Sequence, residues 1–295
     1  MASRRRWLLG MASLGLAGCT SLWSPSEPTI EPPSAPIETG LRTLEETVDG
    51  HPRKALVFVP DGVEGPAPMV LVLHGSKGSP EQFLNGKGWR KVLEERGWVG
   101  VFPYTGHSGK PVLDGSGDTP FMVRLLDRAV EELPVDPERI YAAGFSGGAR
   151  EVYQLAAQHG DRLAAIGAAG GVVAYDDDPP ARSDPRVHGI RPLSVVHVHG
   201  KRDGKVKLQG GVHRAQDGTE HRMLATLDGI QRWIELDDAV EQPRAPASYG
   251  PSRLNVRRWR GPSGAGVLMV VDPELAHDWP DYGAELMCRV FEGRG

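Results

Sequence analysis

A serine stands in the middle of a glycine-rich stretch that could hold a nucleophile. Residues 144–148 read Gly-Phe-Ser-Gly-Gly and match G-x-S-x-G, with a β-type run before them and a helical pattern after them. A sharp turn between a strand and a helix can expose a strained serine, and it needs small neighbours to do so. The stretch predicts Ser146 as a nucleophile. The alternatives are a glycine-rich turn that binds nothing, or one that cradles a phosphate.

A serine nucleophile needs a base and an acid to orient that base, and both are present further along the chain. In a strand–turn–helix arrangement of this kind the chain order is serine, acid, histidine. Asp203 follows the apolar run 193–198, and His277 follows the run 266–271. Order and placement favour Asp203 as the acid and His277 as the base.

Three other aspartates are rivals for the acid. Asp237 and Asp238 end a predicted helix, and Asp272 ends a strand but lies close to His277 in sequence. Their positions make each of them a weaker candidate than Asp203.

Acyl transfer also requires donors for an oxyanion and a pocket for the substrate. The backbone N–H of Gly147, at the start of the following helix, is one expected donor, and that of Ser76 is the other. Phe121 and Trp279 are candidates for an aromatic pocket, whereas Trp89 fits core packing better.

Two further groups could bind a cation, but the pattern favours neither. His197 and His199 face the same side of a strand without an evident third ligand, which is more typical of core histidines. The acidic run 176–178 precedes two prolines and is typical of a solvated loop. We expect neither a metal nor an organic cofactor.

The elements that must position these residues alternate along the chain. A hairpin at 41–48 and 54–59 precedes a fully apolar strand at 69–74, and repeated strand–helix units follow. This order predicts an α/β fold with a mostly parallel sheet, helices on both faces and an antiparallel N-terminal hairpin. The remaining predicted strands are 98–103, 139–143, 163–169, 193–199 and 266–271, and the predicted helices are 80–96, 119–133, a helix ending at 159, 220–236 and 282–291.

The N-terminus predicts export and lipidation. Arginines 4–6 and an apolar run to Ala17 are typical of a signal peptide, and residues 16–19, Leu-Ala-Gly-Cys, resemble the lipobox of bacterial lipoproteins. We therefore expect a signal peptide over 1–18, an acylated Cys19 with a proline-rich tether over 19–38, and one domain over 39–295. Thr20 resembles the outer-membrane pattern if the source is Gram-negative. Sec and twin-arginine export both stay open, as does a processed peptide with a free Cys19.

Charge and cysteine content limit the partners. Loss of Arg4, Arg5 and Arg6 with the signal changes the formal net charge from −4 to −7, and no basic stripe is present. Nucleic acid is therefore not an expected partner. If Cys19 is acylated, Cys288 has no partner for a disulfide, and we expect it in the core of the last helix. Oligomeric state stays open.

Four motifs together resemble a known family. They are His74-Gly75 after a strand, G-x-S-x-G around Ser146, His-Gly-x-x-Asp ending at Asp203, and His-x-Trp-Pro beginning at His277. This set resembles the extracellular esterases that include polyhydroxybutyrate depolymerases, feruloyl esterases and acetylxylan esterases, over about residues 40–293. The resemblance implies an α/β-hydrolase fold, with Ser146 as nucleophile, Asp203 as acid and His277 as base. Leu275-Ala276 replaces a frequent Gly-Gly, and the family's frequent disulfides are missing.

The expected function is an exported, lipid-anchored serine esterase that acts on a small or polymeric ester. A serine peptidase on the same fold and a non-catalytic envelope-binding lipoprotein are the alternatives. Feruloyl, acetyl-xylan and hydroxyalkanoate esters all stay open. The loops at 104–118, 174–191 and 204–218 would decide between them.

Overall fold

The computed structural model describes residues 37–48, 50–105, 118–214, 218–243 and 250–293. The predicted signal peptide, Cys19, nearly all of the tether and most of the loop 104–118 lie outside these residues. No helix within the described ranges is both long enough and apolar enough to cross a membrane.

A ten-stranded sheet forms the centre of the domain. In spatial order its strands are β1 (Gly40–Val48), β2 (His51–Val59), β4 (Val99–Pro103), β3 (Ala67–Leu73), β5 (Val135–Phe145), β6 (Ala165–Ala169), β7 (Ser194–Gly200), β12 (Gly266–Asp272), β11 (Asn255–Arg260) and β10 (Val240–Glu241). The six strands from β4 to β12 run parallel, and the two strands at each edge are antiparallel. The predicted mostly parallel sheet with an N-terminal hairpin is confirmed.

Helices cover both faces of this sheet. They are α1 (Pro80–Gly86), α2 (Trp89–Arg96), α3 (Thr119–Glu132), α4 (Gly147–His159), α5 (Pro180–Ser183), α6 (Thr226–Glu235) and α7 (Gly283–Phe291). All seven residues of β3 are buried because its alternate side chains enter two separate cores. Helices α3, α4 and α6 contribute to the core on one face, and α1, α2 and α7 to the core on the other. Cys288 is fully buried in α7, as predicted.

Two predicted helices have different bounds in the structure. The predicted helix 80–96 is two helices, because Gly88 adopts a left-handed φ of 83° and interrupts the helix between α1 and α2. The predicted helix 220–236 begins only at Thr226. Its first residues form β9 (Glu220–Met223), which pairs with β8 (Gly211–Arg214) in a separate two-stranded sheet.

Candidate functional site

Ser146 lies at the turn between β5 and α4. Its φ of 53° and ψ of −116° are rare for a residue with a side chain, and its backbone N–H donates to Ala169 O on the neighbouring strand at 2.9 Å. Helix α4 passes close behind the sheet, since a Cβ on Gly148 would lie 2.5 Å from Leu73 O. Glycine is therefore required at 148, and the predicted strand–turn–helix around Ser146 is present.

Three predicted side chains from three strand ends meet at this turn. Ser146 Oγ lies 2.9 Å from His277 Nε2, and His277 Nδ1 lies 2.7 Å from Asp203 Oδ2. Asp203 follows β7 and His277 follows β12, two parallel strands that lie side by side in the sheet. The carboxyl ends of parallel strands share one edge of a sheet, which brings together residues 131 positions apart.

The carboxylate of Asp203 is held on both of its oxygens. Oδ2 contacts His277, while Oδ1 accepts from the backbone N–H groups of Val206 at 2.8 Å and Lys205 at 2.9 Å. Burial raises the pKa of this carboxyl, but the hydrogen bonds from His277 and the two N–H groups outweigh burial and leave the pKa below its ordinary value. Asp203 is therefore ionised at neutral pH.

A chain of buried hydrogen bonds supports the loop that carries Asp203. The Tyr153 hydroxyl lies 2.9 Å from His197 Nδ1, His197 Nε2 lies 2.9 Å from His199 Nδ1, and His199 Nε2 lies 2.8 Å from the carbonyl oxygen of Val206. Since the carbonyl can only accept, each group in the chain donates to the next, and both imidazoles are neutral. Burial lowers the pKa of both histidines, consistent with this arrangement. His197 and His199 thus belong to the core, as the sequence favoured.

The rival acids have other partners. Asp272 accepts from Arg253 at 3.0 Å and from the Tyr282 hydroxyl at 3.1 Å, and Asp237 accepts from backbone and hydroxyl groups of Ser263. Asp203 is the aspartate that contacts His277.

A cavity of about 570 Å³ opens beside Ser146 and His277. Gly147 and Ser76, the two predicted donor residues, both line it. Phe121 and Trp279 do not, so their assignment to the pocket was wrong. Phe121 is buried in the core under the guanidinium of Arg53, and Trp279 is buried with its indole N–H donated to Lys87 O.

Other residues form the cavity wall instead. Arg150 projects into it from the first turn of α4, with its guanidinium 4.5 Å from the centre of the Tyr175 ring. His213 and Met223, from the β8–β9 hairpin, complete that side. The hairpin has too few residues and too little alternation to be recognised from sequence. Arg150, which comes four residues after Ser146, could have been anticipated from helical spacing.

The acidic run 176–178, which the sequence does not favour as a cation site, takes part in ion pairs. Asp178 pairs with Arg150 at 2.6 Å, Asp177 with His221 at 2.9 Å and Asp176 with Arg222 at 3.3 Å. Over the described ranges there is no cluster of three or more side chains suited to hold a metal ion.

Glu151, next to Arg150 on α4, is an unusual buried carboxyl. It is 1% exposed, and its Oε2 has no hydrogen-bond partner among the described residues. Burial raises its pKa from 4.5 to about 8, although the charge of Arg150 opposes the shift. Glu151 is therefore protonated at neutral pH in the folded protein.

The raised pKa of Glu151 predicts how stability depends on pH. Between about pH 4.5 and pH 8 the folded state retains a proton that the unfolded state releases, so this residue's contribution to stability is lost as pH rises. Glu151→Gln has a similar shape and no proton to release, so its stability lacks this dependence on pH. The difference in free energy of unfolding between the variant and the wild type should increase in favour of the variant by about 1.4 kcal/mol per pH unit across that range. Urea unfolding at pH 5, 7 and 9 measures the difference, and a constant difference at all three pH values would refute the assignment.

A family model and known relatives match this chain. Residues 53–188 match the family described as "Esterase PHB depolymerase". A bifunctional acetylxylan esterase/xylanase from Neocallimastix patriciarum is 28% identical over 166 residues, which are 54% of this chain and 23% of that protein. Feruloyl esterase B from Piromyces equi is 26% identical over 202 residues, 65% of this chain and 37% of that protein. The chain thus spans well under half the length of these two relatives.

A solved structure agrees in fold. The acetyl xylan esterase from Aspergillus awamori superposes with a TM-score of 0.60 at 12% identity, covering 86% of this chain and all of that one. The predicted fold class is confirmed.

Proposed function

We propose that this protein hydrolyses carboxylic esters through Ser146, His277 and Asp203. The proposal is supported by its α/β-hydrolase fold and by its similarity to esterases described as polyhydroxybutyrate depolymerase, feruloyl esterase and acetylxylan esterase. The observation that carries the proposal is the continuous contact from Ser146 Oγ through His277 to Asp203, at 2.9 and 2.7 Å. Both distances fall within hydrogen-bonding reach, which a nucleophile and its base require.

The proposed mechanism follows from this geometry. His277 Nε2 takes the proton as Ser146 Oγ attacks the ester carbonyl, and then gives it to the departing alcohol to leave an acyl-enzyme. Water attacks the acyl group with His277 again as base, which releases the acid and restores Ser146. Asp203, kept ionised by its hydrogen bonds, fixes the Nδ1–H tautomer and stabilises the imidazolium.

The developing oxyanion needs donors on the cavity side of Ser146. Gly147 is the first residue of α4, so its N–H lacks an intrahelical partner and stands at the positive end of the helix dipole. Ser76, after β3, lies in the same cavity wall. We assign the two backbone N–H groups as the oxyanion donors, each contributing about 3 kcal/mol to stabilising the transition state.

A panel of substrates tests the function. The panel contains p-nitrophenyl acetate, methyl ferulate, acetylated xylan, a hydroxybutyrate oligomer and a peptide p-nitroanilide. We expect hydrolysis of esters and not of the anilide. Feruloyl, acetyl-xylan and hydroxyalkanoate esters are the three substrate classes proposed, since relatives named for the first two match the chain and the matching family model carries the third in its description. Cleavage of the anilide at a comparable rate would favour the serine peptidase, and no turnover of any ester would favour the binding lipoprotein.

The hydrogen-bond chain behind Asp203 gives a further prediction. His199→Leu removes the donor to Val206 O, frees the loop that holds Asp203 and should lower kcat about tenfold with little change in KM. His199→Gln can still donate there and should recover part of the loss. Steady-state kinetics with thermal melts of both variants measure this. If His199→Leu is folded and its kcat is unchanged, the hydrogen bonds from Tyr153 through His197 and His199 do not position Asp203.

We also propose that the protein is exported and held on the bacterial envelope by an acylated Cys19, with residues 20–38 as a tether. The basis is the lipobox-like sequence at 16–19. Mass spectrometry of the mature N-terminus tests this proposal. A diacylglyceryl group on Cys19 is expected, and an unmodified Cys19 would contradict the lipid anchor.

A further inference from the structure

The cavity beside Ser146 has a charge opposite to that of the whole protein. The chain carries a formal net charge of −4, yet the ionised groups that line the cavity are four cations and one carboxylate. The cations are Lys77, Lys87, Arg150 and Lys205, and the carboxylate is Asp278. The protein is acidic overall, but the cavity beside Ser146 carries a local excess of positive charge.

Two of these cations are neutralised by carboxylates. Lys87 Nζ pairs with Asp278 at 3.1 Å, and Arg150 pairs with the buried Asp178 at 2.6 Å. Lys77 and Lys205 have no ion pair within the described part of the chain, and both are exposed at the cavity. His213 adds no charge at neutral pH, since burial lowers its pKa. The two unpaired lysines therefore leave an excess of positive charge at the cavity, which the ionised Asp203 behind His277 offsets in part.

Arg150 adds hydrogen-bond donors to this positive wall. Its side chain is 8% exposed, so it is nine-tenths buried, and its guanidinium lies against the Tyr175 ring. Nη2 donates to Asp178, while Nε has no partner among the described residues. A guanidinium presents five N–H donors and is suited to carboxylates. Because Nε is itself buried, only the Nη groups of Arg150 can reach a ligand in the cavity that this residue lines.

We propose, building on the ester hydrolysis above, that the substrate carries a free carboxylate within the part that the cavity encloses, and that Lys77, Lys205 and Arg150 select it. The class comprises half-esters of dicarboxylic acids, oligomers of hydroxy acids and esters of carboxylated alcohols. Of the three ester classes proposed above, the hydroxyalkanoate oligomers are the one that carries such a carboxylate. The apolar side chains of Phe83, Val172 and Met223 contact the rest of the substrate. Each unpaired lysine contributes about a fivefold preference for the anion.

Matched pairs of esters test the proposal. One pair places the charge on the acyl side, mono(4-nitrophenyl) adipate against its methyl ester, and the other on the leaving group, 4-acetoxybenzoate against its methyl ester. Each kcat/KM is divided by the rate of hydroxide hydrolysis of the same compound. We expect the anionic member to be preferred at least about tenfold in one pair, and less at high salt because ions screen the lysines.

Two lysine variants locate the source of the preference. Lys77→Met/Lys205→Met should lower the ratio of anionic to neutral kcat/KM by about tenfold or more; the backbone N–H of residue 205 that holds Asp203 is retained. Lys207→Met is the control for the loop, because it removes one positive charge only two residues from Lys205 but outside the cavity. Equal turnover of both members in both pairs, or an equal drop in Lys207→Met, would overturn the proposal. If the wild type hydrolyses neither the anionic nor the neutral member of either pair, the result would instead count against ester hydrolysis itself.

Discussion

Ser146→Ala should lower kcat for p-nitrophenyl acetate by about 10⁴-fold or more while leaving the fold intact. Without Oγ no acyl-enzyme can form, and the remaining hydrolysis depends on the oxyanion donors and substrate binding alone. Alanine keeps a Cβ at the positive φ of 53°, so the backbone strain of the turn is the same in both proteins. Initial rates with purified variant and wild type measure the loss, and circular dichroism confirms folding.

Ser252→Ala is the control for this change. Ser252 is an exposed serine that follows a loop proline and lies outside the cavity. Its rate should equal that of the wild type. Ester hydrolysis that persists in Ser146→Ala within tenfold of the wild type would place the chemistry on another group.

Asp203→Asn should lower kcat by about 10⁴-fold, with KM nearly unchanged. Two backbone N–H groups, of Val206 and Lys205, donate to Oδ1, so the amide oxygen of the asparagine must take that position. The NH₂ group then faces His277 Nδ1 and turns it into an acceptor. The proton moves to Nε2, which can no longer accept from Ser146. Steady-state kinetics across pH 6 to 9 measure the effect.

Asp272→Asn separates the proposed acid from its rival. Asp272 is as buried as Asp203, but it binds Arg253 and Tyr282. Its replacement should reduce stability, because it weakens a part-buried charged network, and leave kcat within a few fold. If kcat falls strongly in Asp272→Asn but stays near the wild-type value in Asp203→Asn, Asp272 and not Asp203 is the acid that acts on His277.

The order of the strands explains why so much of the site could be predicted. Ser146, Asp203 and His277 each follow an apolar run, and parallel strands end at one edge of a sheet. Residues 131 positions apart can therefore be predicted as neighbours from the sequence alone. The sequence also predicted that Ser146 needs small neighbours. The structure gives the reason, since helix α4 lies against β3 with no room for a side chain at Gly148.

Side-chain direction was harder to predict than position along the chain. Trp279 stands in the His-x-Trp-Pro motif and Phe121 in helix α3, but the loop and the helix that carry them turn both rings into the cores. Tyr175 faces the cavity instead, because its backbone N–H donates to Asp178, which also pairs with Arg150. The Arg150–Asp178 contact joins residues 28 positions apart and leaves no periodic signal that would place Tyr175. Hydrophobic periodicity also missed Gly88, where a left-handed φ ends one helix and starts another.

Covalent labelling tests the central claim most directly. A fluorophosphonate reacts with a serine that a neighbouring histidine has activated, and it remains attached where an acyl group would leave. Intact-mass and peptide mass spectrometry should find one adduct per chain, on Ser146, and labelling should be lost in His277→Ala. An adduct on another residue, or equal labelling of Ser146 without His277, would contradict the proposed site.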